Sequence, residues 1–170
     1  MAKYREILTK AIIGKGTNKI EENQVIEVDE EISRALGCWI INHQSSIKVE
    51  DEKIFLIGQY EVYVWYGFNH DKNCKLANKV FEFKDEISYK FNDNLVQEIN
   101  EQTEIKKYVN KQPTCVELKY EKNKIFVKVN RIYSIDIVGE TKLTISVNEE
   151  EKKDDISNIN PNYISDKKNS

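Results

Sequence analysis

From Gln24 to Val147 the chain alternates apolar and polar residues. The clearest run places Ile125, Val127, Val129, Tyr133, Ile135 and Ile137 on one side, with Lys128, Asn130, Ser134 and Asp136 between them. A period of two buries one face of an extended segment and wets the other, so these stretches predict half-buried β-strands. Val80 to Phe91 repeats the pattern. Phe81, Phe83, Ile87, Tyr89 and Phe91 share one face, while Glu82, Lys84, Glu86, Ser88 and Lys90 share the other. Asp85 is the single exception on the apolar side. Ile54 to Tyr66 is the longest strand candidate, and Gly58 within it indicates a bulge or a close backbone crossing.

Other segments fill in the outline. Val25, Ile26 and Val28 make a short strand in an acidic loop, and Cys38-Trp39-Ile40-Ile41 follows Gly37 as a buried strand. Residues 92–102 are polar and predict a loop or one helical turn. Thr103 to Val109 and Cys115 to Tyr120 are strands on either side of a bend at Pro113. Glu121-Lys122-Asn123-Lys124 is a hairpin turn. The strand from Ile125 ends at Gly139, and Lys142 to Val147 closes the sheet. Residues 3–13 suggest a short helix: Tyr4, Ile7, Leu8, Ala11 and Ile12 fall on one helical stripe, with Gly14 and Gly16 to end it, although Ala11-Ile12-Ile13 could also start a strand. Such a short stripe must dock on something, either its own domain or another copy.

About seven to eight strands at roughly even spacing, with short connections, make the chain mainly β. The expected fold is an antiparallel β-sandwich or open barrel with a short N-terminal helix and a flexible C-terminal tail. The boundaries are an N-terminal segment at 1–16, a β domain at 17–148 and a charged tail at 149–170. The tail follows from composition: Glu149 to Asp155 is all charge, and beyond it only Ile156, Ile159, Tyr163 and Ile164 are large apolar residues.

Composition narrows the function. Of 170 residues, 39% are apolar and 32% charged, and the net charge is -3 with both signs mixed. No basic stripe for nucleic acid stands out. No window reaches the roughly 18 apolar residues of a membrane span, and no secretory leader is visible, so the chain is expected to stay in the compartment that makes it. Cys38, Cys74 and Cys115 are odd in number and widely spaced, which predicts free thiols.

Candidate chemistry is sparse. Gly14-Lys15-Gly16-Thr17 lacks the earlier glycine and the following Ser or Thr of a phosphate loop. Cys38 and His43, with His70 and Cys74, supply the ligand types of structural zinc. However, their odd spacing in one strand would send Cys38 and His43 to opposite faces. No nucleophile elbow, dinucleotide fingerprint or selected carboxylate pair appears. Tyr63 and Trp65 share a face, with Tyr60, Val62, Val64 and Tyr66 on the other. The plain reading is a strand buried on both sides. The alternative is a ligand- or carbohydrate-binding platform, with Trp39 and Trp65 stacking on a sugar or peptide. No catalytic residue, cofactor or metal site is expected, and the chain is not expected to be an enzyme.

Several strings then stand out in order: Tyr4-Arg5-Glu6-Ile7, Gly37-Cys38-Trp39-Ile40-Ile41-Asn42-His43, Val64-Trp65-Tyr66, Gln112-Pro113-Thr114-Cys115, Val138-Gly139-Glu140-Thr141-Lys142 and Ile159-Asn160-Pro161. With these, nearly the whole chain resembles the outer spore coat morphogenetic protein CotE family of endospore-forming bacteria. Its Lys- and Asn-rich composition resembles a clostridial-type member. The resemblance implies a scaffold that self-assembles around the forespore and recruits outer coat proteins. It implies attachment to inner layers through a SpoIVA-like ATPase, with residence in the mother-cell cytoplasm and then in the spore coat. Self-association would fall on Tyr4, Ile7, Leu8 and Ile12. Partner recruitment would fall on the tail, at Glu149, Asp154, Asp155, Ile159, Pro161 and Tyr163.

Overall fold

The computed structural model describes residues 3–93 and 98–148. Seven strands form two antiparallel sheets that do not close into a barrel. The strands are β1 (Lys3–Glu27), β2 (Ile32–Glu50), β3 (Lys53–Phe68), β4 (Asn73–Ile87), β5 (Tyr89–Phe91), β6 (Glu104–Glu121) and β7 (Lys124–Val147). One sheet has the order β5-β1-β7-β6 and the other β2-β3-β4. Residues 12–139 form one compact unit. The flanking stretches that begin and end the described chain, 3–11 and 140–148, belong to a second.

The mainly β expectation holds, and three local readings are corrected. First, residues 3–13 are strand, not helix. The apolar spacing there fits either period, and pairing with β7 decides for the extended form. Gly14 and Gly16 do not end a helix: they lie within β1, opposite Phe91 and Tyr89 of β5. A Cβ on Gly14 would sit 2.9 Å from the Lys90 carbonyl, so the close approach of β5 explains the glycine. Second, Pro113 does not divide two strands. β6 runs through it and absorbs it in register shifts between Lys111 and Thr114. Gly139 likewise lies inside a continuous β7. Third, the run ending at Phe91 is two strands. Ser88 breaks it, and the chain passes from the three-stranded sheet to the four-stranded one.

The body's core lies between the inner faces. Ile54, Leu56, Tyr60, Val62 and Val64 of β3 meet Ile125, Val127, Val129, Tyr133 and Ile135 of β7, all essentially excluded from water. Each such side chain contributes roughly 2–3 kcal/mol of burial. The β6–β7 turn ties the sheets together at one end. Val28 donates its N–H to the Asn123 carbonyl at 2.9 Å and Ile32 to that of Lys122 at 2.8 Å.

Gly58 behaves as its sequence position indicated. A Cβ there would collide with the Gln44 carbonyl oxygen and lie 2.7 Å from the Phe83 ring. Opposite it, β2 carries a register shift between Ile41 and Gln44, with Asn42 at a φ of 54°. Among the described residues the far strand of this sheet, β4, has β3 as its one strand partner and an edge with no strand beside it. Along it Lys75 pairs with Glu30, Lys84 with Glu50, and Lys79 lies 5.3 Å from the Phe81 ring centre.

Candidate functional site

The alternation that buries Tyr60, Val62, Val64 and Tyr66 of β3 must turn Glu61, Tyr63 and Trp65 the other way. Register then builds a grid on the outer face of the three-stranded sheet. Gly37, Trp65 and Leu76 lie in one row across β2, β3 and β4; Trp39, Tyr63 and Asn78 in the next; Ile41, Glu61 and Val80 in the third. The strand is therefore not buried on both sides. Trp39 and Trp65 remain 38% and 39% exposed, and Ile41, Leu76 and Val80 are exposed beside them.

The rings form a continuous surface. Trp39 and Tyr63 lie 5.9 Å apart and within 7° of parallel, and Trp65 is 6.5 Å from Trp39. At one end stands the Glu61 carboxylate, which accepts from Asn42 Nδ2 and Asn78 Nδ2, both at 2.9 Å. Hydrogen bonds from Asn42, Tyr63 and Asn78 hold this carboxyl below its ordinary range, so it is ionised at neutral pH. The face continues into a depression of about 440 Å³ lined by Gln44, Ser46, Gln59 and Glu82 among others. Gly37 adds a gap: a Cβ there would meet nothing within 4 Å, and no glycine has positive φ. Neither packing nor backbone conformation requires this glycine.

A second polar group lies between the sheets. Arg131 is fully buried, paired with Glu22 of β1 and with Asp85 of β4 at 2.7 Å, and its guanidinium lies 4.2 Å from the Phe83 ring centre. Tyr60 donates to the same Glu22 at 2.5 Å. His43 and the Tyr133 hydroxyl share a 2.7 Å hydrogen bond, and Lys107 reaches across to the Ser45 carbonyl at 2.7 Å. Burial first, then Lys107 and Arg131, hold His43 below its ordinary pKa. This cluster joins β1, β2, β3, β4, β6 and β7.

The register shift at Asn42 also corrects the zinc argument. The extra residue returns His43 to the interior face, against Phe83 and Tyr133, while Cys38 packs on the core from the same side. Cys38 adjoins Cys115, not a histidine. Burial, followed by a hydrogen bond with Cys115, pushes its thiol up, so it is a poor nucleophile at neutral pH. Among the described residues no group of three or more His, Cys, Asp or Glu is placed to hold a metal ion.

The residues expected to mediate self-association are exposed, though not as a helical stripe. Tyr4 and Leu8 project from one side of the strand, 72% and 63% exposed, and Ile7 from the other. Ile12 is exposed within the larger unit. Glu149, Asp154, Asp155, Ile159, Pro161 and Tyr163 lie outside the described residues. Two features were missed from sequence. Arg131 occupies an inward position of the β7 alternation, and Glu61 an outward one among rings; parity alone could have flagged both.

Two packed antiparallel sheets with an aromatic outer face and a buried, ion-paired arginine define a mainly β protein. The chain belongs to the family of outer spore coat protein E (CotE), whose model matches residues 3–169. It is thus an outer spore coat protein of sporulating cells. No curated protein and no solved structure matched the chain. Among the described residues no helix is long and apolar enough to cross a membrane.

Proposed function

We propose that this chain is a non-enzymatic morphogenetic scaffold of the outer coat, a self-associating protein that also captures other coat proteins. The observation that carries this reading is the ribbon of residues 3–11 and 140–147. β5 reaches β1 only at Gly14–Gly16, and β6 reaches β7 only as far as Val138. Beyond those points β1 and β7 pair with each other, and Tyr4, Leu8, Leu143 and Ile145 are all exposed. A two-stranded ribbon is marginal in water, so a third strand or an apolar cover from another molecule is the natural complement. An identical ribbon supplies both, and contacts that do not close into a ring build layers.

On this reading Tyr4, Ile7, Leu8 and Ile12 serve self-association. Tail residues Glu149, Asp154, Asp155, Ile159, Pro161 and Tyr163 serve recruitment, with a SpoIVA-like inner-layer ATPase among the partners. The chain would assemble in the mother-cell cytoplasm, in a coat of clostridial type. The test is solution size by light scattering. The full chain should form large species, and the double substitution Tyr4→Lys with Leu8→Lys should reduce them without changing the circular dichroism. A wild-type chain that stays monomeric at tens of micromolar would overturn the proposal.

A further inference from the structure

The outer face of β2, β3 and β4 carries charge as well as rings, and its charge is unbalanced. Among the described residues Glu61 is held by Asn42, Tyr63 and Asn78, none of them a cation. Glu82 lies one row further along the same face, opposite Gln59. The cations around them are committed elsewhere. Lys48 and Lys84 both pair with Glu50, at 2.8 and 3.1 Å. Lys79 points to the opposite face, over the Phe81 ring. Arg34 lies level with Gly67, at the far end of the aromatic rows from Glu61. The result is a carboxylate fixed in its ionised form beside three aromatic rings, with a second carboxylate close by.

That combination selects its occupant. The π-faces of Trp and Tyr attract a cation, most strongly for Trp, and a neighbouring carboxylate adds a charge-assisted hydrogen bond. An anionic ligand would meet Glu61, whose hydrogen-bond partners are all neutral. A purely apolar partner would have to desolvate an ionised carboxylate with nothing to offset it. The gap at Gly37 leaves space beside Trp65 for a long side chain to lie flat.

We propose that this face is a docking surface for a basic peptide segment, with lysine or arginine side chains lying over Trp39, Tyr63 and Trp65 and reaching Glu61 and Glu82. The site sits in the folded body, on residues 37–82. It rests on the scaffold reading only in supposing that the natural segment belongs to another coat component. Trp and Tyr are the residues that dominate protein contacts energetically, which suits them as anchors here.

The full-length chain titrated with octalysine and with octa-arginine tests this, read by tryptophan fluorescence. A saturable change is expected that weakens as salt is raised. Glu61→Gln combined with Glu82→Gln should weaken it by about tenfold, and Trp65→Ala and Gly37→Val should do the same. All four positions lie on the open face, and circular dichroism confirms that each variant folds. Light scattering on the same samples should show unchanged assembly size. No response to either peptide, or a response that survives the double glutamine variant, overturns the proposal. So does a response only to a neutral chitin oligosaccharide, which would make the face a glycan platform. Loss of assembly in Trp65→Ala overturns it too, because the occupant would then be a second copy. Octalysine binding by a chain that never assembles would uphold the docking surface and remove the scaffold reading.

Discussion

Arg131 of β7 donates to Asp85 of β4 at 2.7 Å across the interior, and a second branch of the same guanidinium meets Glu22. One buried cation therefore holds carboxylates from both sheets. Arg131→Met leaves these two acids without their counter-charge. It should cost about 3 kcal/mol, within the range for breaking a buried ion pair. Glu22 and Asp85 keep partial contact with water, at 26% and 22% side-chain exposure, which moderates the loss. Adding Glu22→Gln and Asp85→Asn to Arg131→Met should recover part of it. Urea denaturation of the single and triple variants checks both statements, and equal stability of Arg131→Met and wild type would refute them.

His43 supplies a pH dependence. Its folded pKa lies below the ordinary 6.5 because burial and two cations oppose its charge. The unfolded chain therefore binds a proton that the folded one refuses. Stability from this residue is fully present above the unfolded value and declines as pH falls from about 6.5 toward the folded pKa. His43→Gln should flatten the dependence between about pH 6.5 and 5, where carboxylates contribute little. Melting temperatures across that window for both proteins make the comparison.

Two glycines should respond in opposite senses. Gly58→Ala drives a methyl into the Gln44 carbonyl and the Phe83 ring, and should cost about 1–3 kcal/mol by overpacking. Gly37→Ala meets open space, and should gain about 0.5–1 kcal/mol by restricting the unfolded chain. Chemical denaturation of the two single variants is sufficient.

Much of the architecture was legible because period-two burial is a local signal. The inward face of β7 and the inward set of β3 were readable residue by residue. Asp85 announced itself as an anomaly. Its partner did not, because Arg131 falls where the eye skips from Val129 to Tyr133, and Glu22 sits among other acids. The N-terminal strand was misread for a different reason. Tyr4, Ile7, Leu8 and Ile12 satisfy a helical stripe, and the partner that makes them extended lies near the opposite end of the chain, invisible to any local window. The face of His43 depended on one extra residue at Asn42, which inverts parity without leaving a sequence mark. Tyr63 and Trp65 were assigned to a common face correctly. Their exposure could not be read, since it depends on whether a further layer covers them.

The open edge of β4 has a consequence for how such a protein is made and stored. Along a fifteen-residue strand, the main-chain groups that face away from β3 would welcome any extended segment in a crowded cell. Lys75, paired with Glu30, Lys84, paired with Glu50, and Lys79, over the Phe81 ring, line that strand, so an uninvited strand must disturb these contacts before it can zip on. Amorphous precipitation is thereby discouraged.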